Sequence, residues 1–124
     1  MSTHDPRWRA WVEVDLGAVR RNYEAIRRAA PRARVLPVVK ADAYGLGAER
    51  GVAALEPLAP WGYAVATPEE GAAVRSWGIA RPVVVLFPPC EALPWVAEQG
   101  CTPVLGDLHS VRRWAECARR AGRP

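Results

Sequence analysis

The sequence predicts an α/β fold built on a parallel sheet, and three observations carry that expectation. Short apolar runs begin at residues 35, 62, 82 and 102, with Gly and Pro clustered around them. Between the runs, apolar residues recur at three- and four-residue steps, the period of an amphipathic helix. The run Pro82–Phe87 is apolar throughout, as strands buried on both faces of a parallel sheet are. Strands alternating with helices in this way leave two architectures, a doubly wound sheet or a (β/α)8 barrel.

Taken in order, Trp11–Asp15 alternates apolar and polar residues and reads as a half-buried strand. Asp15 caps a helix from Leu16 to about Ala30, with an apolar face of Leu16, Val19, Tyr23, Ile26 and Ala30. Pro31 ends that helix, Val35–Lys40 follows as a short strand, and a glycine-bearing loop runs through Tyr44–Gly47. Ala48–Leu55 is an Ala-rich helix stopped by Pro57 and Pro60. Gly62–Ala66 is a strand that enters Thr67-Pro-Glu-Glu70, a capping box with Pro at the first helical position. Here Glu69 and Glu70 read as capping and dipole partners, not as acid/base groups. The helix runs to Trp77, with Gly78 suited to the residue after its end. Strand Pro82–Phe87, helix Glu91–Gln99, strand Thr102–Leu105 and a helix capped by Asp107 and reaching Ala121 complete the pattern. The six tryptophans read as core and packing residues, and His109 as a surface residue.

Composition narrows the function classes. Of 124 residues, 50% are hydrophobic and 24% charged, enough apolar material for a packed core and not the make-up of a disordered chain. The net charge of +4 comes from arginines placed singly or in pairs along helices, with no basic run of five and no nucleic-acid module, so no nucleic-acid partner is expected. Cys90, Cys101 and Cys117 are odd in number and lack CxxC spacing, which fits free thiols in a reducing compartment and gives no metal site. The first eight residues are polar, without the apolar core of a signal peptide, and no apolar run is long enough for a membrane span. A soluble, cytoplasmic α/β segment is the expectation.

One stretch points to chemistry. Lys40 is the only lysine, against sixteen arginines, and it stands at the end of the apolar run Val35–Val39. On a surface the two cations are interchangeable, but a guanidinium cannot act as an amine nucleophile or form a Schiff base. Ligands of parallel α/β folds meet the C-terminal ends of strands, which is where Lys40 falls. By alternation Leu36, Val38 and Lys40 share one face of the strand. Gly45 and Gly47 permit positive φ in the loop, and on their own are a weak phosphate signal.

The ten residues Val38-Val-Lys-Ala-Asp-Ala-Tyr-Gly-Leu-Gly47 resemble the pyridoxal-phosphate attachment motif of bacterial alanine racemases. Trp11–Leu16, Gly62–Gly71 and Val83–Phe87 resemble that family's N-terminal strand and cap, its second barrel strand and helix start, and its third strand. The resemblance implies a (β/α)8 TIM-type barrel, of which residues 1–124 would form about the first half, without the family's C-terminal β domain. It implies the interconversion of L- and D-alanine, a supply of D-alanine for the cell wall, and a homodimer for the full-length enzyme. Lys40 would hold pyridoxal 5′-phosphate as an internal aldimine and, once released, serve as one of two bases flanking the α-carbon. Tyr44 would hydrogen-bond the cofactor phosphate, while Val38 and Leu86 would pack near the pyridine ring. Leu46 stands where the family more often has histidine. The tyrosine serving as second base and the arginine at the pyridine nitrogen belong to regions outside these 124 residues, so an inactive N-terminal piece is expected. The alternative is a non-catalytic cofactor-binding or structural half-barrel that needs a partner segment.

Overall fold

The computed structural model describes residues 10–122; the polar stretch at residues 1–8 and the last two residues lie outside them. Helix α1 (Leu16–Ala29) starts where expected, with the Asp15 carboxylate accepting from the Ala18 amide at 3.0 Å. A single helical turn, α2 (Lys40–Gly45), precedes α3 (Ala48–Leu55), and a 3-10 turn at Glu56–Leu58 follows. Strand β1 (Tyr63–Val65) leads to α4 (Pro68–Ser76), and β2 (Val83–Leu86) leads through a second 3-10 turn, Cys90–Ala92, to α5 (Leu93–Glu98). Finally, β3 (Thr102–Val104) leads to α6 (Leu108–Arg120).

The three strands are parallel and lie side by side in chain order. The segment Val35–Val39 extends the sheet on the β1 side. Val38 bridges Ala64, the Val39 amide donates to the Ala64 carbonyl at 2.8 Å, and the Ala64 amide donates to Pro37 at 2.8 Å. Pro37 has no amide of its own, so this pairing stays shorter than the strand expected from the apolar run. Trp11–Asp15 departs further from expectation. Its residues are exposed, Val12 by 83%, and among the described residues none pairs in a sheet. Alternation suits a strand but cannot make one without a neighbouring backbone to bond.

Strand order is monotonic through the Val35–Val39 segment, β1, β2 and β3, with no reversal at a switch point among them, as in consecutive strands of a barrel. One face of the sheet carries Val39, Tyr63, Val65, Val83 and Val85, all buried in one core with Tyr23 of α1, Val52 and Leu55 of α3, Val74 of α4 and Val96 of α5. The opposite face carries Val38, Ala64, Val84 and Leu86, of which Ala64 and Val84 are buried and Val38 is 41% exposed. Helices therefore cover one face, as in a sector of a barrel. Gly71 of α4 permits the close helix–sheet approach: a Cβ there would lie 3.0 Å from Cys101 Sγ and 3.7 Å from Val85. Tryptophan plays a smaller part in the core than expected. Trp77 and Trp114 pack against it, while Trp11, Trp61 and Trp95 are exposed.

Polar networks close the ends of the sheet away from Lys40. The Arg75 guanidinium donates to the carbonyls of Ile79 and Arg81 at 2.7 Å and of Gly100 at 2.6 Å, tying the loops that enter β2 and β3 to the end of α4. Tyr63 donates its hydroxyl to Glu56 at 2.8 Å, and Glu56 pairs with Arg81 at 3.0 Å. Burial first, and then the Glu56 carboxylate, push the Tyr63 phenol far up, so it stays a donor throughout the working range.

At the start of α6, the Asp107 carboxylate accepts from both the amide and the hydroxyl of Ser110, each at 2.8 Å. The amide and then the hydroxyl hold its pKa below the usual carboxylate value. A depressed folded pKa contributes stability that is present above the ordinary value of about 3.9 and fades as pH falls through the folded one. Asp107→Ala is therefore expected to melt earlier than the parent at pH 6, with the gap closing in melts taken progressively below pH 4. A gap independent of pH would contradict this account of the cap.

Candidate functional site

Lys40 lies two residues beyond Val38, and Ala66 two beyond Val38's bridge partner Ala64. Leu86, paired with Val104, ends β2 on the same side. The C-terminal edge of the sheet thus holds Lys40 and Leu86, with Val38 and Leu86 on the face opposite the helices; Val39 has ψ 17°, so the alternation expected to set Lys40 on that face ends before it. Lys40 is partly exposed, and among the described residues no carboxylate lies within ion-pairing distance of it.

The backbone after Lys40 does what no glycine count could foretell. Ala41, Asp42, Ala43 and Tyr44 have φ of 50°, 53°, 52° and 58°, with ψ between 35° and 49°, so the turn is left-handed. For L-residues that conformation costs roughly 1–2 kcal/mol each, and ordinary chains visit it one residue at a time. Four in succession need outside support, which three contacts supply. Ala43 donates its amide to the Val39 carbonyl at 2.9 Å, Asp42 accepts from the Ala48 amide at 2.7 Å, and Glu70 accepts from the Ala41 amide at 2.7 Å. Gly45, at φ 83°, carries the chain out of the turn.

The consequence is proximity. The turn folds Tyr44 back so that Lys40 Nζ lies 5.9 Å from the centre of its ring, and Tyr44 itself is 64% exposed. Val38 and Tyr44 also line an apolar cavity of about 470 Å³ that opens between α1 and the Val35–Val39 segment. Of the four expected site residues, Lys40 and Tyr44 are brought together and Val38 and Tyr44 share a cavity, which neither Lys40 nor Leu86 lines. Sequence reading missed Glu70 as part of this site, because its place in the capping box already explained it; its contact with Ala41 spans 29 residues and leaves no local signal. Cys90 and Cys117 are free thiols, and the described residues hold no group of three His, Cys, Asp or Glu side chains placed for a metal.

A one-way series of parallel strands, helices on its outer face and a lysine at a strand's C-terminal end define a sector of a lysine-bearing (β/α)8 barrel. Residues 14–124 match the family model for the alanine racemase N-terminal domain. The chain belongs to that family. It is 38% identical over 123 residues to the alanine racemase of Rhodospirillum rubrum, covering 97% of this chain and 33% of that protein. Its fold superposes on alanine racemase from the D-cycloserine producer Streptomyces lavendulae with a TM-score of 0.79 at 31% identity, covering 89% of this chain and 29% of that one. The alanine racemase of Bartonella henselae, a structure with covalently bound pyridoxal phosphate, gives 0.80 at 26% identity and covers 89% and 31%. The chain thus spans about a third of its relatives' length.

The donor set suits pyridoxal phosphate: a lysine amine for its aldehyde, an exposed phenol four residues on for its phosphate, and the aliphatic side chains of Val38 and Leu86 for its ring.

Proposed function

We propose that this chain is the cofactor-holding N-terminal portion of a pyridoxal-phosphate-dependent alanine racemase, acting on a small amino acid in the cytoplasm to supply D-alanine for the cell wall, within a homodimer. The observation that carries the reading is the left-handed turn that sets Tyr44 beside the strand-end amine of Lys40. When bound, the cofactor supplies a conjugated electron sink that makes an amino acid's α-proton removable. Lys40 provides the only side-chain amine in the chain, and its Nζ both holds the group and, when free, carries a proton on one side of the substrate. Tyr44 offers a hydroxyl to the phosphate from a turn whose direction is set by the backbone. Val38 and Leu86 exclude water from the ring's flank.

The test is to incubate the chain with pyridoxal phosphate, reduce with borohydride, and map the modified peptide. Near-stoichiometric label at Lys40, above that of a denatured sample, is the expected result; the N-terminal amine is the second control. Equal labelling of folded and denatured chains would overturn the reading. A second reading, a half-barrel that acts only with a partner segment, draws on the open apolar cavity beside Val38 and Tyr44. Exchange of the α-proton of alanine for deuterium that appears only on adding the rest of the barrel would favour it.

No helix among the described residues is long and apolar enough to cross a membrane.

A further inference from the structure

We propose that Glu70 is a positioning residue for Lys40, acting through the left-handed turn; the proposal rests on the cofactor-holding role of Lys40. In an ordinary capping box the glutamate at the third helical position bonds back to the cap residue's amide and no further. Here that bond is the weak one. Glu70 Oε2 reaches the Thr67 amide at 3.4 Å but the Ala66 amide at 2.8 Å, and Oε1 takes the Ala41 amide at 2.7 Å. One carboxylate thus clamps the residue after Lys40 to the residue that follows β1, joining the C-terminal ends of two neighbouring strands.

The geometry explains why the clamp falls there. Ala41 is the first residue of the turn with positive φ, so fixing its amide fixes the peptide plane that leaves Lys40. A charge-assisted bond of 2.7 Å is of the strong kind, and it offsets part of the cost of the left-handed run. The Ala43 amide bonds the Val39 carbonyl, in the peptide that enters Lys40, and Asp42 bonds the Ala48 amide; neither reaches the peptide that leaves Lys40. Without Glu70, the turn keeps its later contacts while the direction of the Lys40 side chain relaxes.

The test compares Glu70→Ala and Glu70→Gln with Thr67→Ala, in the full 124-residue chain. Thr67→Ala removes the hydroxyl that caps α4, 3.3 Å from the Glu70 amide, and leaves the bond to Ala41 in place. Two readouts are taken. The first is the concentration of pyridoxal phosphate that half-labels Lys40 under borohydride trapping. The second, independent of any cofactor, is the set of Cα and Cβ chemical shifts and amide exchange rates of residues 41–44, which report left-handed backbone directly. Glu70→Ala is expected to raise the half-labelling concentration at least roughly tenfold, the worth of one charge-assisted hydrogen bond. It is also expected to move the shifts of Ala41 and Asp42 toward coil values. Glu70→Gln, with one acceptor oxygen for the Ala41 and Ala66 amides, keeps only one arm of the clamp and falls between the parent and Glu70→Ala in both readouts, and Thr67→Ala changes neither while lowering the melting temperature. Parent-like shifts in Glu70→Ala, or equal loss in Glu70→Ala and Thr67→Ala in step with stability, would overturn the proposal. If the parent takes no label at Lys40, the role of Lys40 fails, and the shifts alone decide whether Glu70 sets the turn.

Discussion

Lys40→Arg is expected to abolish borohydride-trapped pyridoxyl label in the folded chain, leaving only what the N-terminal amine takes up. The substitution keeps the positive charge and most of the aliphatic stem but removes the only side-chain amine, since guanidinium stays protonated and does not add to the aldehyde. Stability is expected to change little, within about 0.5 kcal/mol, because Lys40 is partly exposed and has no carboxylate partner among the described residues. Equal melting temperatures with the label lost would place the effect in chemistry and not in folding. Label persisting elsewhere in the folded Lys40→Arg chain would mean that another nucleophile binds the cofactor, and the assignment of Lys40 would fall.

The largest loss of stability is expected at the opposite end of the sheet. Arg75→Met keeps an unbranched apolar stem of similar length and removes every donor, leaving the carbonyls of Ile79, Arg81 and Gly100 without the guanidinium that now serves all three. Hydrogen bonds from a charged donor contribute about 1.5–3 kcal/mol each and are not additive, so a total of about 3–5 kcal/mol is expected from urea unfolding. Two of these carbonyls lie in the loop entering β2 and the third just before β3, so their release loosens the start of two core strands together. Labelling of Lys40, at a temperature where the variant is folded, is expected to stay at the parent level. A loss under about 1 kcal/mol would mean that water serves the three carbonyls as well as Arg75 does.

Much of the helical framework is legible in the sequence because helix ends are local chemistry. Asp15, Thr67 and Asp107 each accept an amide from the helix that follows, as their positions predict. The all-apolar run at β2 announces burial on both faces, and it is buried at Val83, Val84 and Val85. The family resemblance, too, was carried by a contiguous stretch around Lys40, and the match over residues 14–124 bears it out. Strands are less legible. Trp11–Asp15 has the alternation of a strand and no strand pairing among the described residues, and Val35–Lys40 pairs over a shorter length than its apolar run suggests. A helix closes its own hydrogen bonds, whereas a strand borrows them from a neighbour that local sequence does not specify.

By itself, then, the sequence determined the helix caps, the apolar runs and a single lysine at the end of one of them. Only the tertiary structure decided the one-way strand order, the packing of the helices against one face of the sheet and the shape of the turn after Lys40. Ala-Asp-Ala-Tyr carries no local preference for four left-handed residues in a row, and isolated alanines avoid that region. Two carboxylates hold the turn: Glu70, 29 residues away, accepts the Ala41 amide, and the turn's own Asp42 accepts the Ala48 amide beyond the following glycines. The Glu70 bond forms only once the sheet has brought the ends of its strands together, which is why the direction of the turn after Lys40 is a property of the fold and the identity of Lys40 a property of the sequence.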